Sequence, residues 1–138
     1  MSGSSRDRRI LIVDDERVIA DTLATIFRNA GYDAKAVYAA EQALELLNLS
    51  DWLPELAIVD VRLPQMNGVD LAIRLRAMHP ACKLSLFSGQ PSAAEILEMA
   101  NAEGHFFDIL AKPVHPVELL NLAATMLSFD PDDPPHPA

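Results

Sequence analysis

Short aliphatic runs alternate along this chain with longer segments whose apolar residues recur at helical spacing. The short runs fall near residues 9–14, 33–37, 56–60, 83–88 and 106–111; the helical segments fall near 17–30, 40–49, 67–78, 92–102 and 115–128. In the first helical segment Ile19, Leu23, Ile26 and Phe27 share one face, and Gly31 offers a stop. In the last, Val117, Leu120, Ala124 and Leu127 recur, with Pro113 and Pro116 around its start. Strand and helix in strict alternation predict βαβ units, an α/β fold with a five-stranded parallel sheet and helices on both faces. A length of 138 residues leaves room for one such domain and hardly for two. Half of the residues are apolar, which argues against wholesale disorder.

Parallel strands put all their carboxyl ends on one edge, where open α/β sheets place their sites. Asp14 and Asp15 end the first run, Asp60 the third, Ser88 the fourth, and Lys112 follows the fifth. Carboxylates gathered so closely repel one another unless a cation neutralises them. The set therefore asks for a metal, and for an anion near the lysine. Hard oxygen ligands suit Mg2+, which keeps several of its waters.

Each residue has a plainer reading as well. Asp15 could be the N-cap of the helix that follows, and Asp14 a solvated turn residue. Asp60 could also be a turn residue, yet the run before it is apolar and nothing nearby in sequence offers a partner. An ionised Asp60 could attack phosphorus directly, leaving the protein to align and neutralise the phosphoryl oxygens. Ser88 could supply a hydroxyl, and Gly89 could let the backbone approach an anion; Ser88-Gly89 could equally be a plain turn. Lys112 could serve the anion or form a structural salt bridge, with Pro113 fixing its direction across a bond open to the cis form. Pro64, Gln65, Met66, Asn67 and Gly68 read as a loop entering the third helix, Gly68 permitting a tight turn and Met66 packing. Trp52 reads as a lid over the loop before the third strand, and Cys82, the single cysteine, as a small buried or edge residue.

The net charge of −9 makes direct nucleic-acid binding a poor fit, since the basic start offers only Arg6, Arg8 and Arg9. The start resembles no secretory leader, no run is long enough to span a bilayer, and a cytoplasmic location is expected. Residues 1–8 are expected to be a flexible basic arm. Residues 129–138, rich in proline and aspartate, are expected to be a disordered tail or linker stub.

IVDDE at residues 12–16, DVRLPQMNG at 60–68, FSG at 87–89 and AKP at 111–113 occur in order, each at the end of an expected strand. With these motifs, residues 9–128 resemble the receiver domain of two-component response regulators, a flavodoxin-like (βα)5 fold. The resemblance implies Asp60 as phosphoacceptor, and Asp14, Asp15, Asp60 and the Arg62 backbone carbonyl as ligands of Mg2+, with Mn2+ as a substitute. It implies Ser88 as the switch hydroxyl and Lys112 as the lysine contacting the phosphoryl group. It implies a sensor histidine kinase or phosphotransfer protein as donor, or small donors, and later loss of the phosphoryl group to water. Such a protein catalyses its own phosphorylation and dephosphorylation without being a conventional turnover enzyme. Arg62 and Gln90 stand where the family tunes phosphoryl lifetime. Ile109, three residues before Lys112, stands where the family often carries a switching aromatic ring. Leu63 and Asn67 replace a common methionine and aspartate. Ile109 and the loop from Gly89 to Ser92 would lie on the face that binds partners or forms weak homodimers; a monomer is equally compatible.

Two other readings compete with a phosphorylatable switch. A receiver-like interaction module that no longer switches would fit Ile109. A hydrolase using the same metal and Asp60 lacks an apparent second acid/base residue and a cap insertion. The output of the chain, stand-alone or joined to an effector, stays open.

Overall fold

In the computed structural model the aliphatic runs form one five-stranded sheet: β1 (Arg9–Val13), β2 (Asp33–Val37), β3 (Leu56–Asp60), β4 (Lys83–Ser88) and β5 (Asp108–Ala111). The strand order is β2-β1-β3-β4-β5 and every pairing is parallel, as in flavodoxin-like folds. Among the described residues four bounded helices flank it: α1 (Arg17–Asn29), α2 (Ala40–Leu49), α3 (Gly68–Met78) and α4 (Pro116–Ser128). The structure describes residues 8–89, 98, 101, 102, 104, 108–112 and 115–128. The helix expected near 92–102 falls almost wholly outside the described residues. So do Phe106 and Phe107, Gln90, Pro113, the arm before Arg8 and the tail from residue 129.

Strands covered on both faces should be apolar throughout rather than alternating. β3 meets this in full, with all five of its residues buried. Period-two alternation then divides the core in two. Ile10, Ile12, Leu56, Ile58, Phe87 and Leu110 pack with Leu23, Phe27, Leu119 and Leu127 beneath α1 and α4. Leu11, Val13, Ala57, Val59, Leu84 and Leu86 pack with Ala43, Leu71 and Leu75 beneath α2 and α3. The edge strand β2 exposes Asp33 and Lys35, charges that discourage pairing with another chain.

Local chemistry sets the helix ends. α1 stops where Gly31 adopts φ 100°, donating its N–H to the Arg28 carbonyl at 3.0 Å. α3 starts at Asn67, whose side-chain oxygen accepts from the Asp70 N–H at 2.8 Å. Trp52 packs on the α2/α3 side of the core and donates from Nε1 to Asp33 Oδ2 at 2.8 Å, in keeping with a lid over the loop. Arg8 and Arg9 are not a free basic patch, because each pairs with Glu55 at 3.9 Å. Among the described residues no helix is long and apolar enough to cross a membrane.

Candidate functional site

The chain leaves β1 and β3 in opposite lateral directions, so a crevice opens at the carboxyl ends of these adjacent strands. The alternation of the strands continues past their ends. Ile10 and Ile12 lead to Asp14, Leu56 and Ile58 to Asp60, and Leu110 to Lys112. Three charged groups thereby follow core residues on the α1/α4 face, far apart in sequence and in contact in space.

Lys112 is the hub. Its Nζ donates to Asp60 Oδ2 at 2.9 Å and lies 3.0 Å from Asp14 Oδ2 and 3.5 Å from Glu16 Oε1. The second oxygen of each buried carboxylate is held by the backbone two residues on. Asp14 Oδ1 accepts from the Glu16 N–H and Asp60 Oδ1 from the Arg62 N–H, both at 3.0 Å. Asp14 is fully buried and Asp60 is 4% exposed, whereas Asp15 faces solvent.

Burial pushes the Asp14 carboxyl up to about 6, against the lowering pull of the Glu16 N–H and Lys112, with the Asp60 charge adding to the rise. Burial opposes the charge on Lys112, but Asp60 and Asp14 outweigh it and the ammonium is stabilised. Asp14 is thus an anion short of positive charge even with a lysine beside it.

One carboxylate oxygen from each of Asp14, Asp15 and Asp60 lies within 4.8 Å of the others, a cluster able to coordinate a divalent metal. Ligand oxygens on one octahedral Mg2+ stand about 2.9 Å (cis) to 4.2 Å (trans) apart, so small side-chain movements suffice to share an ion. The buried Asp14 Oδ2 has no hydrogen bond of adequate angle, despite the ammonium at 3.0 Å, and keeps capacity for a metal. The donor set therefore fits a hard cation.

Above this floor Asp15, Glu16, Asp60, Arg62, Gly89 and Lys112 line a cavity of about 350 Å³. Ser88 ends β4 beside Ala111, and its carbonyl accepts the Lys112 N–H at 3.0 Å, tying the lysine's backbone to the serine's. Ile109 stands away from the charged cluster, 51% exposed on β5.

Several local readings change. Glu16, not Asp15, occupies the N-cap of α1, and it makes no side-chain capping bond. Asp14 is a buried ion-pair member rather than a solvated turn residue. Gly68 has no positive φ; it is needed because a β-carbon there would collide with the Asp60 carbonyl. Gly89 leaves space that the Lys112 stem fills, since a β-carbon would sit 3.2 Å from Lys112 Cβ. Gln90 and Pro113 lie outside the described residues. Glu16 and Phe87, whose ring centroid is 4.7 Å from Lys112 Nζ, carry no role in the sequence reading. The inward parity of Phe87, one residue before Ser88, was the available signal.

The family model described as the response regulator receiver domain matches residues 10–124. The "Uncharacterized 14.6 kDa protein in sodA1 3'region" of Leptolyngbya boryana is 34% identical over 124 residues, covering 89% of this chain and 93% of that protein. The transcriptional regulatory protein HptR of Staphylococcus aureus is 33% identical over 112 residues, covering 80% of this chain and 43% of HptR. The chain thus spans less than half the length of that relative. Among solved structures, the signal receiver domain of an HD domain-containing protein from Pseudomonas fluorescens Pf-5 superposes with a TM-score of 0.76 at 30% identity, covering 88% of each chain.

Proposed function

Because the chain belongs to the response regulator receiver domain family, we propose that Asp60 accepts a phosphoryl group from a sensor histidine kinase or phosphotransfer protein. The receiver architecture, with its cluster of Asp14, Asp15 and Asp60, is poised for Mg2+-dependent phosphorylation of the kind used in response-regulator signalling. The observation that carries the assignment to Asp60 is its pair of fixed oxygens. One is held by the Arg62 N–H at 3.0 Å and the other by Lys112 at 2.9 Å, in a nearly buried carboxylate.

In the proposed step an ionised Asp60 oxygen attacks phosphorus. The phosphorus–nitrogen bond of the donor phosphohistidine breaks and its electron pair stays with the imidazole. A small acyl phosphate would lose its phosphorus–oxygen bond in the same way. Lys112 neutralises one phosphoryl oxygen, and the Ser88 hydroxyl, with backbone N–H groups, donates to another. Held by Asp14, Asp15, Asp60 and the Arg62 carbonyl, Mg2+ (or Mn2+ in its place) would neutralise a third. Arg62 and Gln90 are assigned to shielding or orienting the water that later removes the phosphoryl group.

Residues 9–128 are read as the receiver, with 1–8 as a basic arm and 129–138 as a tail or linker stub, in a cytoplasmic protein. Phosphorylation would bias a surface that includes Ser88, Gly89 and Ile109 between two states. A second reading, a module that binds partners without switching, is favoured by one observation. Ile109 is half exposed and has no ring to move between buried and exposed positions. Partner binding that is equal with and without phosphorylation would select that reading.

The test of the first reading is intact mass after incubation with acetyl phosphate and Mg2+. One added phosphoryl group is expected, and none in Asp60→Asn. A folded wild-type protein that gains no mass, beside a receiver that does, would overturn the assignment.

A further inference from the structure

We propose that Phe87, beneath the ammonium, and Gly89, against the stem, are positioning residues that hold Lys112 in place while its ammonium changes acceptors during phosphoryl transfer. This rests on the reading of Asp60 as acceptor and Lys112 as its cationic partner.

The lysine is held in two different ways. Its head lies on charges: Asp60 at 2.9 Å, Asp14 at 3.0 Å and Glu16 at 3.5 Å. The first two of these belong to the carboxylate cluster that fits a divalent ion. A metal and a phosphoryl group would both compete for those oxygens, so the head must exchange partners when they arrive. Head and stem also meet groups that carry no charge and change nothing in the reaction. The Phe87 ring is fully buried in the α1/α4 side of the core, with Nζ 4.7 Å from its centroid. That distance lies within the range over which a ring face attracts a cation, and the attraction is strongest where water is excluded. On Gly89, a β-carbon would stand 3.2 Å from Lys112 Cβ and 3.3 Å from Cδ, so the methylenes run against bare backbone. The Lys112 N–H bonded to the Ser88 carbonyl anchors the base of the side chain between these two contacts.

A ring serving the core alone would account for the burial of Phe87. It would not account for a cation over its face, nor for a lysine stem in the space that any larger residue at 89 would occupy. A seat made of ring and glycine lets the ammonium pivot over a short arc without leaving the site. Without it, a long side chain regains rotamer freedom, and the catalytic charge is correctly placed for a smaller fraction of the time.

The experiment uses the full chain with 13C-labelled lysine, which resolves three residues, Lys35, Lys83 and Lys112. The Lys112 ε-methylene protons should be shifted upfield by the Phe87 ring. The shift should remain after loading with Mg2+ and beryllium fluoride, a phosphoryl mimic, and vanish in Phe87→Leu. Both Phe87→Leu and Gly89→Ala should lower the limiting rate of phosphorylation by saturating acetyl phosphate by about tenfold, with half-saturation for the donor little changed. Phe87→Trp, which keeps a ring face, should recover more of the rate than Phe87→Leu.

Loss of the upfield shift on loading, or wild-type rates in folded Phe87→Leu and Gly89→Ala, would overturn the proposal. Gly89 is exposed, so its variant decides the matter even if the core change at 87 prevents folding. If the wild-type protein takes no phosphoryl group at all, the reading of Asp60 fails. The ring shift in the wild-type protein and its loss in Phe87→Leu then still decide whether the seat exists. If the wild-type protein is phosphorylated and Lys112→Ala is slow while both seat variants are not, the seat alone is refuted.

Discussion

Gly68 lies so close to Asp60 that a β-carbon on it would stand 2.7 Å from the Asp60 carbonyl carbon and collide with the carbonyl oxygen. The Gly68 N–H also donates to the Val61 carbonyl at 2.8 Å, so the first turn of α3 is seated directly on the strand end that presents Asp60. The glycine sets how closely helix and strand approach, and through that the position of the carboxylate.

Gly68→Ala should therefore destabilise the fold and disturb the site together. Overpacking at a backbone contact that cannot yield costs roughly 1–3 kcal/mol. Denaturant unfolding should show that loss, and phosphorylation by a small donor should slow. Wild-type stability in this variant would mean that α3 slides away at no cost.

Asp14 makes metal dependence and pH dependence a single effect. Its carboxyl is raised from 3.8 to about 6, so between those values the metal-free folded state holds a proton that the unfolded chain releases. The stability carried by that proton is complete below about pH 4 and lost as pH rises through about 6, a loss of about 3 kcal/mol. A divalent ion bound at the cluster would replace the proton at higher pH. Stabilisation by Mg2+ in thermal melts should then be negligible near about pH 4 and grow through about pH 6, and Asp14→Asn should flatten both trends.

Lys112 sits on the oxygens of Asp14 and Asp60 that a metal would take. Lys112→Ala should tighten Mg2+ binding by roughly tenfold or more, because a cation that would repel the ion, 2.9 Å from Asp60 and 3.0 Å from Asp14, is removed. The same change should slow phosphorylation. Calorimetric titration and transfer rates moving in opposite directions would separate the two roles, whereas weaker Mg2+ binding would show that the lysine organises the carboxylates for metal.

Cys82 is 6% exposed, and burial pushes its thiol up to about 12. Since the thiolate is the reactive form, alkylation in the folded state near about pH 8 should be slow and limited by unfolding. Mass spectrometry of the native protein should show almost no adduct after times that label the denatured chain completely. Prompt labelling of the native state would place the residue in a looser environment than the α2/α3 core.

Asn67 shows how far sequence reading reaches. Its place before an apolar helical segment is visible in the chain, yet it is the bond from the Asp70 N–H that identifies it as the cap of α3. Asp15 shows the converse. A residue type suited to capping precedes α1, but the cap position falls to Glu16, while Asp15 stays at the mouth of the carboxylate cluster.

The fold class and the edge that carries the chemistry were determined by the sequence alone. Aliphatic runs ending in Asp14, Asp60, Ser88 and Lys112 must form a sheet covered on both faces, and parallel strands deliver all their ends to one side. Once the strand bounds are known, parity accounts for the inward charges after Ile12, Ile58 and Leu110. What only the tertiary structure decided depends on ångström-scale approaches between elements distant in the chain. Those approaches bury Asp14 while leaving Asp15 in solvent, leave no space beside Asp60 for a side chain at 68, and set Lys112 over Phe87 and against Gly89. Periodicity specifies which way a side chain faces, but burial, pKa and steric exclusion follow from what lies opposite it, and that is settled only when the layers pack.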